Sequence, residues 1–122
     1  MKTFNPRLIF ITFENFWYED LKVVKFKHHS LYQKPTNFEI YNLKLGEKRH
    51  KAGHAEYAGF HDYWFLEFET VSGERYLTKD NFYCDITEED EDPVILGVNG
   101  DAKTMYVAFT HSSGCSTRLI RR

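Results

Sequence analysis

The stretch Asp62-Tyr-Trp-Phe-Leu-Glu-Phe-Glu-Thr70, followed by Val71-Ser-Gly-Glu74 and Arg75-Tyr-Leu-Thr-Lys79, decides the fold class. Two runs rich in aromatic and β-branched residues flank Ser72-Gly73, a turn signal, and together they read as a β-hairpin over 62–70 and 74–79. Working outward, Val94-Ile-Leu-Gly-Val98 and Thr104-Met-Tyr-Val-Ala-Phe109 flank Asn99-Gly100 and predict a second hairpin. Leu8-Ile-Phe-Ile-Thr-Phe13 is apolar on both faces, which predicts a central strand. Residues 21–27 read as a strand, and Phe82–Ile86 as a short one. Residues 38–45 alternate through Phe38, Ile40, Leu43 and Leu45, and the change of parity at Tyr41-Asn42 suggests a bulge. Lys34-Pro-Thr-Asn37 is a turn, and 46–61 reads as a long polar loop carrying Gly53 and Gly59. Residues 14–20 suit a short helix or turn. Residues 116–121 suit either an edge strand or a short basic helix.

The sum is a mainly β domain spanning 1–122, with about seven or eight short antiparallel strands in a sandwich or barrel. An α+β variant with one or two short helices is the alternative. At 122 residues the chain can build one real core. Its 17% aromatic content leans towards sheet.

The net charge of -2 gives no global case for nucleic acid or for an acidic-surface binder. The distribution is uneven. Residues 22–51 hold eight Lys/Arg against Glu39 and Glu47, whereas Asp85-Ile-Thr-Glu-Glu-Asp-Glu-Asp92 holds six acids and no base. No segment is long enough to span a membrane, and the 8–13 run is too short for a signal sequence. These features predict a cytoplasmic, reducing setting with Cys84 and Cys115 as free thiols. No cofactor is implied.

Several side-chain sets offer chemistry. His50, His54 and His61 fall within twelve residues and could supply three nitrogens to a metal; Lys51 stands where a zinc-protease motif needs Glu, and Gly53 weakens a helix there, so a surface loop is the plainer reading. Cys115 opens the 116–121 segment, and a helix there would place its thiol at the helix N-terminus, with His61 as its base. A His at a strand start followed by a Cys opening a helix resembles circularly permuted papain-like hydrolases of the NlpC and LRAT type. That resemblance implies Cys115 as nucleophile and His61 as general base. Those families continue with a long helix after the Cys, where this chain has seven residues. His28-His29-Ser30 and His111-Ser112-Ser113 resemble the paired His-x-Ser/Thr elements of two-histidine phosphoesterases, which implies one His as acid and one as base. Lysines interleaved with Phe26, Tyr32, Phe38 and Tyr41 over 22–51 would suit single-stranded nucleic acid if the rings faced out.

The reading that demands least is a protein-binding, inhibitor or accessory domain. Its partner would be another protein. Tyr18, Tyr32, Tyr57 and Tyr63 are expected at the surface, with Tyr57 and Tyr63 as contacts. Glu88, Glu89, Asp90 and Glu91 would form an electrostatic hook for a basic partner.

Overall fold

A computed structural model describes residues 7–31 and 33–122. The described strands are β1 (Arg7–Phe16), β2 (Leu21–Ser30), β3 (Thr36–Leu43), β4 (Lys48–Tyr57), β5 (Asp62–Thr70), β6 (Arg75–Leu77), β7 (Val94–Asn99), β8 (Thr104–Ala108), β9 (Cys115–Arg118) and β10 (Ile120–Arg121). They form two five-stranded sheets, ordered β4-β1-β7-β8-β9 and β10-β6-β5-β2-β3. The sheets pack face to face as an open sandwich. Among the described residues there is no helix, and hence none long and apolar enough to cross a membrane.

Alternation explains the layering. Along β5, Trp64, Leu66 and Phe68 point inward while Tyr63, Phe65, Glu67 and Glu69 point outward. β1 sends Ile9, Ile11 and Phe13 to the core, and β7 adds Val94, Leu96 and Val98. Phe13 and Phe26 meet between the sheets with ring centroids 5.9 Å apart. β1 is interior to its sheet, as its apolar run predicted, yet Leu8 and Phe10 remain largely exposed on its outer side. One pair is parallel: β1 with β7. Chain crossings close both flanks of the sandwich. β3 passes to β4 through a turn at Gly46, where φ is +81°, and β9 passes to β10 through Leu119.

Both predicted hairpins are present. The second has a longer turn than Asn99-Gly100 alone, since β8 begins at Thr104. Four expectations are corrected. Residues 14–16 continue β1 instead of turning into a helix. Residues 48–57 are strand β4 instead of loop; their polar side chains sit on an edge strand with one solvated side, which erases the apolar alternation a strand usually shows. The parity change in β3 coincides with Asn42 in a left-handed conformation (φ +55°), while register shifts fall elsewhere: in β2 between Leu21 and Val23, opposite β5, and between β1 and β4 at Ile11–Phe13. Residues 82–86 make only a bridge, Tyr63 to Tyr83, alongside backbone bonds from Trp64 to Phe82 and from Cys84 to Asp62.

The cysteines are also corrected. Cys84 and Cys115, 31 residues apart, form a disulfide with Cα atoms 6.0 Å apart. It ties the strip beside β5 in one sheet to edge strand β9 of the other. Nothing local in the sequence marks this pairing, because only the stacking of the sheets brings the two positions together.

Candidate binding site

The β4–β5 connection, residues 58–61, and the 83–92 connection meet at one end of the sandwich. Carboxylates build this end from inside. Asp62 is fully buried at the start of β5. It accepts hydrogen bonds from His28 Nε2 (2.7 Å), the Ser30 hydroxyl (3.3 Å) and the Ile86 N–H (2.9 Å). Trp64 packs on the His28 ring at 4.6 Å between centroids and donates its indole N–H to the Cys84 carbonyl. A buried carboxylate with three donors is satisfied, so it fixes the 84–86 strip against β5. One layer further out, Asp85 accepts the Asp62 N–H at 3.0 Å and lies 2.9 Å from His61 Nδ1.

Asp90 performs the same task for the acidic loop. It too is fully buried. Its oxygens accept from the Thr87 N–H (2.8 Å) and hydroxyl (2.9 Å), the His111 N–H (2.8 Å), and the Ser112 N–H (2.8 Å) and hydroxyl (2.5 Å). Burial alone would raise the pKa of this carboxyl. The bonds from Ser112, Thr87 and His111 outweigh it and hold the group well below the usual carboxylate range. Arg7 reaches over from β1 to donate to the Glu88 and Asp90 carbonyls at 2.8 and 2.5 Å, and Asp92 accepts the Phe10 N–H at 2.7 Å.

Three of the six acids thus turn to the backbone: Asp85, Asp90 and Asp92. Glu88, Glu89 and Glu91 stand exposed. Glu88 rims an open recess of about 460 Å³, walled by Leu31, Tyr57, Phe60, His61 and Asp85. Phe60 is 51% exposed and Tyr83 55%. The Tyr83 ring lies 4.9 Å from His61 and 6.1 Å from Tyr63, and Tyr63 in turn stacks on His29 at 4.9 Å. Burial, and then the nearby Glu88 charge, push the Tyr57 phenol above its ordinary pKa. The end therefore offers an aromatic surface under a negative rim.

Several residues of this end are the ones expected from the acidic run and the surface tyrosines, and they take different places in it. Glu88 and Tyr57 line the recess, Tyr63 stands beside it, the Glu89 charge reaches Tyr57, and Glu91 is exposed further along the loop. Asp90 is corrected from hook to strut, and Tyr57 from surface contact to a nearly buried wall. Tyr18 is exposed, as expected, but at the opposite end; Tyr32 lies outside the described residues. Phe60 and Tyr83 had no distinguishing signal, and Asp85 was one acid of a run whose members look alike. Each sits in an irregular connection whose course only the packed sheets define.

The other constellations are dispersed. His50 is exposed on β4, His54 packs edge-on against Phe38 at 5.1 Å, and His61 pairs with Asp85. No group of three or more His, Cys, Asp or Glu among the described residues is placed to hold a metal ion. Cys115 begins a strand, without the helix N-terminus expected there, and as half of a disulfide it carries no thiolate. His28-His29-Ser30 closes β2 and His111-Ser112 follows β8, so the two elements belong to different sheets. Ser30 and Ser112 spend their hydroxyls on Asp62 and Asp90. In the 22–51 region, Phe26 is buried, and Lys22, Lys48 and Arg49 pair with Glu69, Glu14 and Glu47. No protein-family model matches the chain, and no curated relative does either.

Proposed function

We propose that this protein works by binding another protein, as an inhibitor or accessory domain, with the recess beneath residues 85–91 as its contact surface. The observation that carries the reading is the partition of the acidic run. Buried Asp90 locks the loop, and Glu88, Glu89 and Glu91 face outward, with Glu88 on the recess that exposed Phe60 also lines. A rigid rim of like charge around aromatic surface suits a Lys/Arg-bearing segment with an apolar side chain. The charges would steer its approach and the rings would supply the desolvated contact. The disulfide supports a setting more oxidising than the reducing cytoplasm expected from the sequence, since such bonds persist where thiols are not kept reduced.

Fluorescence anisotropy with a panel of labelled peptides tests this reading. The panel pairs basic-aromatic sequences with acidic counterparts, at several salt concentrations. The native protein is expected to favour the basic set. Glu88→Ser, Glu89→Ser and Glu91→Ser combined should slow association and flatten its salt dependence, with Asp90 left intact so that the loop keeps its course. Phe60→Ser with Tyr83→Ser should weaken binding at every salt concentration. Equal binding of both peptide sets, or a triple variant indistinguishable from native protein, refutes the reading.

A further inference from the structure

The opposite end of the sandwich holds three aromatic rings around one ammonium group. Trp17 and Tyr18 follow β1, and Tyr76 lies in the middle of β6. Trp17 and Tyr18 stack with centroids 5.1 Å apart, while Trp17 and Tyr76 meet at 4.8 Å with planes inclined by 60°. Tyr18 is 45% exposed, whereas Trp17 and Tyr76 belong to the core and are each 4% exposed, so Tyr18 forms the open wall of a shallow box and the other two its inner walls. Phe68 braces it from behind, edge-on to Trp17 at 5.0 Å. Glu74 sits at the rim and accepts hydrogen bonds from the Tyr18 hydroxyl at 2.5 Å and the Tyr76 hydroxyl at 3.1 Å. The Tyr18 bond holds the Glu74 carboxyl below its ordinary pKa, so the rim is negative at neutral pH.

The occupant is Lys103, whose Nζ lies 5.0 Å from the Tyr18 centroid, 5.5 Å from Trp17 and 5.8 Å from Tyr76. All three fall within the range of cation–π attraction. The β7–β8 turn delivers it. Asn99 Oδ1 accepts the Asp101 and Ala102 N–H groups, and Lys103 itself adopts a left-handed conformation, φ +54°. Gly100 presses the turn against the box, since a Cβ there would come within 2.7 Å of Tyr18 and 2.9 Å of the Trp17 backbone. Lys103 remains exposed, so its departure opens the box and uncovers the Trp17 and Tyr76 faces that it overlies.

We propose that this box is a binding site for a trimethylammonium group, with Lys103 as an internal occupant that such a ligand displaces. A primary ammonium is compact and strongly hydrated and gives up water to enter. A trimethylammonium group has no N–H to leave unsatisfied and presents methyl groups to all three faces, with Glu74 as counter-charge. The group can arrive on a choline-type small molecule or on a methylated lysine. The site stands independently of the recess.

The test follows amide and indole resonances of ¹⁵N-labelled protein during titration with choline, with a trimethyllysine peptide and with its unmethylated twin. Native protein, Lys103→Ala, Tyr18→Ala and the double variant are compared, each with unchanged resonances elsewhere as proof of folding. One ammonium–ring contact at an exposed position corresponds to a factor of roughly 2–5 in affinity. Removing the internal competitor should therefore tighten choline binding about 2- to 10-fold, with shifts at the Trp17 indole and the Gly100 amide. Tyr18→Ala should abolish binding in either background. Peptide tighter than choline assigns the ligand to a methylated protein; choline tighter than peptide assigns it to a small molecule or headgroup. No saturable shift in folded Lys103→Ala overturns the proposal. So does equal affinity for the methylated and unmethylated peptides, or binding that survives loss of Tyr18.

Discussion

Replacing Asp90 with Asn removes a charge and one acceptor from the strut beneath the acidic loop. The two faces of the carboxylate bind different donors. Oδ1 takes the His111 and Ser112 N–H groups, and Oδ2 takes the Thr87 N–H and two hydroxyls. An Asn carbonyl can replace only one of them. With the amide NH₂ in the Oδ2 position, both hydroxyls can rotate to accept, but the Thr87 N–H faces another donor. Losing one charge-assisted bond and stranding one donor costs about 3 kcal/mol. For a chain of this length that is a fall of roughly 10 °C in melting temperature. The pH dependence gives a sharper check. Because the folded-state pKa of Asp90 is depressed, its stabilisation is complete above the unfolded value near 4 and is lost as pH falls from there towards the folded value. Asn does not titrate, so the gap between native protein and variant should narrow by about 1.4 kcal/mol per pH unit below pH 4. Thermal unfolding followed by circular dichroism between pH 7 and pH 2.5 measures it. A gap below about 2 °C at pH 7, or one that stays constant through the acid range, would mean that Asp90 does not hold the loop as an ionised strut.

Converting Cys84 and Cys115 together to Ser releases a closed loop of 31 residues, which the chain-entropy relation puts at about 3.7 kcal/mol; urea unfolding with and without reductant should show the loss in native protein and no further loss in the variant. Gly97→Ala sets a methyl group where the Tyr106 hydroxyl lies, 2.3 Å from the new Cβ, so the ring must leave Glu14. Burial and then the Glu14 bond now hold the Tyr106 phenol above its ordinary pKa, so tyrosinate absorbance in alkaline titration should show one group returning towards about 10, with a stability cost of about 1–2 kcal/mol.

The sheet class was legible because two of its hairpins obey rules written into adjacent residues: alternation, then a turn residue, then alternation. Gly73 occupies a φ of +95° at the first turn, which the Ser-Gly pair announced. Where the rule needs a second strand from elsewhere, the reading fails. β4 is polar along most of its length because it is an edge, and its edge position follows from pairing with β1, some forty residues earlier. β5 shows the limit from the other side. Tyr63 and Phe65 point out while Trp64 and Phe68 point in, so an aromatic run identifies the strand and says nothing of which face is wet.

The candidate site was half legible for a related reason. Six acids in eight residues look alike on paper, and an acidic run is ordinarily a solvated loop. Whether a carboxylate is a surface charge or a structural acceptor depends on how many unpaired N–H groups surround it. Those around Asp90 belong to residues 111 and 112 as well as to its own loop. The spacing of Asp90 three residues after Thr87 hints at a local turn, but no pattern marks the second set of donors. Locking this loop commits Asp90 to the interior and Asp85 and Asp92 to backbone N–H groups, and an outward rim requires keeping the others free. A run of six is long enough to do both. Serine substitution of the whole run would therefore confound the two roles, because loss of binding would follow from an unlocked loop as readily as from missing charge. Changing Glu88, Glu89 and Glu91 while retaining Asp85, Asp90 and Asp92 separates them, and the reverse set should collapse the loop while leaving the rim glutamates in the chain.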